Sequence, residues 1–290
     1  MNVDGKRVVF TGDIGRGNHQ VLTNPDLIPA GEISALVTES TYGNRTHPTS
    51  DNKLADAINR TAKRHGSVLI PAFAVDRTEI MLMTLKRLIK NKQIPPLPIY
   101  VDSPMALSAL NYYREAINAR SPEIRPELYD LPEDPFDPGT LNEAISVEQS
   151  KALNDLTAPS IIISASGMAT GGRVVHHLEN MLPNPNNSVL LVGYQAAGTR
   201  GQYLLQGAKN IKMYGKYVEV SAEIIQIEEF SVHADSEELL KWFQSSNSIP
   251  NCVYTVHGES DSAETFANLI KNKLHWRAVV PELNESYDLI

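Results

Sequence analysis

Six short β-rich runs, RVVFT, SALVTE, SVLIPAF, LPIYVD, SIIISA and SVLLVG, recur along the chain with helix-patterned segments between most of them. Alternation of this kind requires crossover connections, so it predicts an α/β architecture with largely parallel sheets. The segment SDNKLADAINRTAKRHG predicts a helix with Ser50 or Asp51 as N-cap and Gly66 just past its end, and DRTEIMLMTLKRLIK predicts another beginning near Asp76. Residues 120–150, rich in Pro and acidic side chains, read as a long surface excursion. Residues 211–228 alternate apolar and polar from Val218 to Glu223 and read as one or two half-exposed strands.

At 290 residues the chain has room for one large domain or two ordinary ones. A single cysteine, Cys252, rules out a disulfide framework or a Cys-rich zinc module; it fits a reducing compartment and is expected in the core. No run approaches the ~20 apolar residues that span a bilayer, and MNVDGKR lacks the apolar region of a secretory signal. The expectation is therefore a cytoplasmic protein with no membrane partner. A net charge of -8 argues against a protein that coats nucleic acid through its overall charge, but leaves room for a local basic groove.

The chemistry-bearing residues sit at strand ends. Asp13, in FTGDIGR, follows a strand with Gly on either side of the short loop; such a carboxylate is placed to bind metal, although Asp and Gly together are also ordinary turn chemistry. His257 follows the strand CVYTV, and His233 precedes a helix in which Asp235 and Glu238 have capping-box spacing. Glu39 ends the strand ISALVTE, where a carboxylate can orient a histidine and favour its imidazolium form, as a general acid requires. Two Gly-rich strand-to-helix turns, SASGMATGGRVVHHLE and GYQAAGTRGQYLL, present Ser166, Gly167, Gly171, Gly172, Arg173 and Arg200. They suit phosphate binding at a helix start and serve equally as tight turns. Neither contains a dinucleotide or P-loop fingerprint, and no GxSxG elbow is present. His176 and His177 are adjacent and point about 100° apart on a helix, so they do not chelate one ion together. His19, His47, His65 and His275 have no supporting pattern.

Taken in order, FTGDIGR, TESTYGNR, VLIPAFAVDRTEIML, IYVDSPMA, IIISASGMATGGRVVHHL, LVGYQAAGTRG, EEFSVHADSEELLKWF and VYTVHGES closely resemble the β-CASP branch of the metallo-β-lactamase superfamily. The resemblance covers essentially the whole chain. It implies a zinc-dependent nuclease with two Zn2+ per complete site and single-stranded RNA as partner; homodimers are frequent among such proteins. By resemblance Asp13 matches the carboxylate that bridges the zincs and His257 the last histidine ligand. Glu39 and His233 match the first and second β-CASP motifs, with His233 as proton donor to the leaving oxygen. His257 also matches the third motif, where histidine goes with RNA substrates and valine with DNA. One departure is Asp76, at a position where the family commonly has Gly.

The resemblance also implies the H-x-H-x-D-H segment and a further histidine upstream of Asp13, and the sequence contains no H-x-H. Asp13 and His257 alone do not complete a tightly held zinc site. The expectation is an incomplete metallo-β-lactamase αββα sandwich, its remnant at residues 1–43 and its return at residues 229–290, with an inserted α/β β-CASP domain at residues 44–228. Truncation is the favoured explanation; degeneration of the site or a second chain supplying the rest are the others. The function expected is a ribonuclease inactive by itself in this form, with a non-catalytic RNA-binding scaffold and a DNA-processing nuclease as alternatives.

Overall fold

The computed structural model describes residues 1–48, 52–246 and 248–289. The chain forms two compact units: it leaves the first after His47, builds the second from Pro48–Ser231, and returns to the first at Val232.

The first unit is built on a five-stranded sheet in the order Asn2–Val3, Lys6–Phe10, Ala35–Glu39, Val253–Val256, Ala278–Val279. The first two strands form an antiparallel pair and all other pairings are parallel. Leu36 lies opposite Val253. These two residues share one core with Leu239 and Phe243 of the Ser236–Gln244 helix and Phe266 and Ile270 of the Ser260–Leu274 helix. On the other face an apolar hollow of about 230 Å³ is lined by Val8, Val37, Tyr254 and Val256 and by Tyr287 and Leu289 of the C-terminal segment. Parallel pairing sends the carboxyl ends of the central strands to one edge, the usual place for a site in open α/β sheets.

The second unit holds a six-stranded, all-parallel sheet in the order Glu223–Gln226, Ser188–Leu191, Val68–Pro71, Ile161–Ser164, Ile99–Val101, Leu141–Glu143. The Val68–Pro71, Ile161–Ser164 and Ser188–Leu191 strands are buried throughout. Burial on both faces is why they appear in sequence as continuous apolar runs without alternation.

All six β-rich runs form strands, and helices occupy Lys53–Lys63 and Arg77–Lys90. The proposed N-caps Ser50 and Asp51 lie outside the described residues. Gly66 is dictated by close approach: a Cβ there would lie 1.7 Å from the Asn186 carbonyl oxygen. Two expectations are corrected. Residues 120–150 carry the edge strand Leu141–Glu143 and bury Phe136 completely, an anchorage hidden because a three-residue strand has no readable period. Residues 211–228 belong to three strands: an antiparallel hairpin, Asn210–Met213 with Lys216–Glu219, and the edge strand Glu223–Gln226.

Asp76 sits before the Arg77–Lys90 helix at φ +70°, a left-handed conformation that suits Gly best. Its carboxylate makes no cap bond but accepts from the Tyr113 hydroxyl at 3.1 Å. One turn into the helix, the Glu79 carboxyl is fully buried with no hydrogen-bond partner for either oxygen among the described residues. Burial, reinforced by the nearby Asp76 charge, pushes it up from the ordinary 4.5 to about 8. The folded state then holds a proton that the unfolded chain releases, so stability falls as pH rises from about 4.5 to about 8 and levels off beyond. Glu79→Gln removes that loss. In denaturant titrations the variant is expected to match the parent near pH 5 and to gain stability over it progressively toward pH 9; a gap that does not change with pH rules out this origin.

Candidate active site

Three parallel strands deliver the site of the first unit. Glu39 ends the Ala35–Glu39 strand and is paired in register with Val256, so His257 begins the loop beside it. Asp13 lies three residues past the neighbouring Lys6–Phe10 strand. The fourth residue arrives from the returning chain: Arg16 N–H donates to the Val232 carbonyl and Ala234 N–H to the Ile14 carbonyl, and Gly15 and His233 form an antiparallel bridge. This short ladder sets His233 beside the Asp13 loop.

Glu39 is buried, and both its oxygens are used. One accepts from the Ile14 amide and the other contacts His233 Nδ1 at 3.0 Å. Asp13 Oδ1 lies 3.2 Å from His257 Nδ1, with both side chains more than half exposed. Potential donor atoms of Asp13, Glu39 and His233 all fall within 4.8 Å of one another. The His233 and His257 rings are 6.4 Å apart. Two carboxylate–imidazole pairs thus stand side by side, one inside the protein and one facing water.

A second layer fixes His233. His47 Nε2 donates to the His233 carbonyl at 2.9 Å, and its ring packs 4.8 Å from that of Tyr42. Burial holds the His47 imidazole below its ordinary value, against the opposing pull of that carbonyl. Asp235 caps the Ser236–Gln244 helix by accepting from the Glu237 and Glu238 amides, while Glu238 returns the bond to the Asp235 amide and pairs with Arg16. The other Asp235 oxygen accepts from the His47 amide at 2.7 Å. His47, Asp235 and Glu238 also have metal-like spacing; the two carboxylates serve the helix cap and His47 Nε2 the His233 carbonyl. The capping box was readable in sequence; the part played by His47 was not, since its partner lies 186 residues away.

This arrangement has counterparts among known proteins. The Beta-Casp domain family matches residues 78–204, and the family described as Zn-dependent metallo-hydrolase RNA specificity domain matches residues 217–281. The chain is 33% identical over 270 residues to a ribonuclease of Thermus thermophilus, a match covering 92% of this chain and 61% of the relative. It is 32% identical over 286 residues to an RNase J-like protein of Methanocaldococcus jannaschii, covering 97% of this chain and 65% of the relative. It is 31% identical over 287 residues to the transcription termination factor FttA of Pyrococcus abyssi, covering 90% and 43%. By these matches the chain carries a Beta-Casp domain followed by a Zn-dependent metallo-hydrolase RNA specificity domain. It spans less than two thirds of the length of these relatives.

The family matching residues 217–281 is described as Zn-dependent, and the donors of the site can be compared with that metal. Donors bound to one tetrahedral zinc at 2.0–2.1 Å stand about 3.3 Å apart, and the Asp13–His257 contact of 3.2 Å has that spacing. The pair fits two corners of a zinc site. Both oxygens of Glu39 are bonded to Ile14 and His233. Two donors are too few for tight binding.

The Gly-rich turns of the second unit have a different occupation. Ser166 Oγ bonds to Thr170 Oγ1 at 3.0 Å within its own loop, and Gly172 stands at the N-cap of the Arg173–Met181 helix. Gly167 packs against Phe73, and Gly171 has no neighbour where a Cβ would point. Arg173 turns inward: it donates to Asp102 at 2.7 Å and to the Ala144 and Ile145 carbonyls. Arg200 donates to the carbonyls of Ala169, Thr170 and Lys212. Both guanidiniums, expected to clamp phosphate, meet protein acceptors that the folded loops bring to them, a carboxylate and two carbonyls for Arg173 and three carbonyls for Arg200.

Asp102, missed in the sequence, is the centre of this second network. It is fully buried and receives Ser150 Oγ and His177 Nε2, each at 2.6 Å, besides Arg173. Burial alone would push its carboxyl up, but these hydrogen bonds outweigh it and hold the carboxyl below its ordinary value. Of the adjacent histidines, His177 is thus a core residue and His176 an exposed one. Arg173→Ala leaves a buried carboxylate short of its cation, so a loss of about 3–5 kcal/mol of stability is expected in thermal or denaturant unfolding. Unchanged stability with weakened RNA binding would return Arg173 to the role of phosphate clamp.

Proposed function

We propose that this chain carries the acid–base half of a zinc-dependent ribonuclease site that cleaves single-stranded RNA. The observation that carries the reading is the buried Glu39 held 3.0 Å from His233 beside the Asp13–His257 pair. In the proposed roles Glu39 orients the His233 imidazole and stabilises its charged form, and His233 delivers a proton to the leaving oxygen of the scissile phosphodiester. Asp13 and His257 would hold metal. Zinc, when bound, supplies Lewis-acid activation of water and of the phosphoryl group. The remaining donors would come from residues outside this sequence. Histidine at position 257 supports RNA over DNA, and the name of the family matching residues 217–281 supports the same substrate class. No helix among the described residues is long and apolar enough to cross a membrane. The lone, buried Cys252 supports a reducing, cytoplasmic setting.

The two-donor set favours one rival, a non-catalytic RNA-binding subunit, and metal analysis joined to an RNA assay separates them. For the 290-residue chain we expect less than one zinc per chain and binding of a labelled single-stranded RNA without cleavage. In the same assay on a form or complex that holds two zincs, chelator-sensitive cleavage is expected. There His233→Ala should cost about 10²–10⁴-fold in rate, with Glu39→Gln acting in the same direction. A fully metallated form that binds RNA and never cuts it establishes the scaffold; equal cutting of matched DNA removes RNA specificity.

A further inference from the structure

Within the acidic chain, KNIKMYGKY at residues 209–217 combines three lysines with two tyrosines and has no acidic residue. It forms the Asn210–Met213 and Lys216–Glu219 hairpin of the second unit. The inner face buries Ile211, Met213 and Val218; the outer face turns Lys212 and Tyr217, directly opposed in register, toward solvent. Tyr217 is 72% exposed and Tyr214, at the hairpin tip, 57%.

The tip is a two-residue turn in which Tyr214 has φ +48° and Gly215 φ +81°, the pattern of a type I′ hairpin. Gly215 suits its place. Tyr214 does not: the first position of such a turn favours Asn, Asp or Gly, and a tyrosine there is held in a disfavoured backbone conformation. What the position gains is a ring. Tyr214 stacks on His176 with centroids 4.7 Å apart and planes 17° from parallel, and its hydroxyl lies 3.0 Å from His176 Nε2. One ring face is thereby fixed while more than half the residue stays open to solvent. Lys212 is exposed on the same face as Tyr217, Lys209 is exposed just before the far end of the hairpin, and Lys216 pairs with Glu179. The Arg200 guanidinium is tied to the Lys212 carbonyl, and Glu219 stands opposite Asn210 at the far end.

We infer that this hairpin is a stacking platform for single-stranded RNA, on which Tyr214 and Tyr217 receive bases and Lys212 meets the phosphates. Aromatic faces interleaved with lysines are the surface that binds unpaired strands, because every base has a face to stack and each linkage carries a negative charge. A ring already immobilised on His176 loses little freedom when a base joins the stack. The inference rests on the RNA reading above.

The test is fluorescence anisotropy of a labelled 12-residue oligouridine with the whole chain, alongside thermal unfolding of each variant. Tyr214→Asn is the informative substitution, because Asn suits the left-handed turn and removes only the ring. It is expected to weaken binding about 5- to 150-fold with an unchanged or raised melting temperature. Tyr217→Thr, which keeps a strand-forming residue, should weaken binding in the same range. Lys212→Ala should lower the slope of log K against log salt by about 0.7. Parent binding with unchanged affinity in both tyrosine variants overturns the platform and leaves the RNA reading standing. A lower melting temperature for Tyr214→Asn at parental affinity makes the ring a latch between hairpin and helix, and likewise overturns it. A parent chain that binds no oligouridine overturns the platform and the RNA reading together.

Discussion

The buried carboxylate of Glu39 is the constraint on which the first unit depends. A carboxylate taken out of water is costly unless its oxygens are bonded, and Glu39 meets that demand with an amide from the Asp13 loop and a ring nitrogen from the returning chain. Those partners come from residues 14 and 233, so satisfying one side chain joins the first and last parts of the sequence. The capped helix after His233 and the His47 bond to its carbonyl hold the second partner in place. Loss of any of these supports leaves the charge under-bonded, which ties the geometry of the site to the stability of the unit.

The second unit repeats the device for a different end. Asp102 also follows a parallel strand, Ile99–Val101, and also binds an imidazole, yet His177 is almost sealed while His233 keeps part of its side chain in contact with water. A sealed pair with Ser150 and Arg173 fastens the strand end to neighbouring segments. A partly open pair beside a solvent-facing Asp and His leaves its imidazole within reach of a molecule outside. The same two residue types therefore differ in use through burial and through what else competes for their atoms.

Much of the fold was legible because it rests on local signals. Continuous apolar runs mark strands buried on both faces, and the FSVHADSEELL segment displays its own cap. The edge strand Leu141–Glu143 was hidden since three residues carry no period, and the surrounding prolines read as loop. Within the site, Asp13, Glu39, His233 and His257 could be picked from their strand-end positions and from the family resemblance, and the structure brings them together. His47 and Asp102 could not, because nothing near them in sequence announces a partner 186 or 75 residues away.

Arg173 and Arg200 show the same boundary from the other side. Their sequence setting, a Gly-rich turn opening a helix, is one that binds phosphate, and the sequence determined that a cation would stand there. Which acceptors it meets is a matter of three-dimensional neighbours: Asp102 with the Ala144 and Ile145 carbonyls for one, Ala169, Thr170 and Lys212 carbonyls for the other. By itself the sequence determined the alternation of strands and helices and the strand-end placing of the reactive residues, since each follows from composition and periodicity over a few residues. Tertiary structure alone decided which carboxylate is desolvated, which histidine is sealed and which arginine is already engaged, because these depend on contacts between segments far apart in the chain.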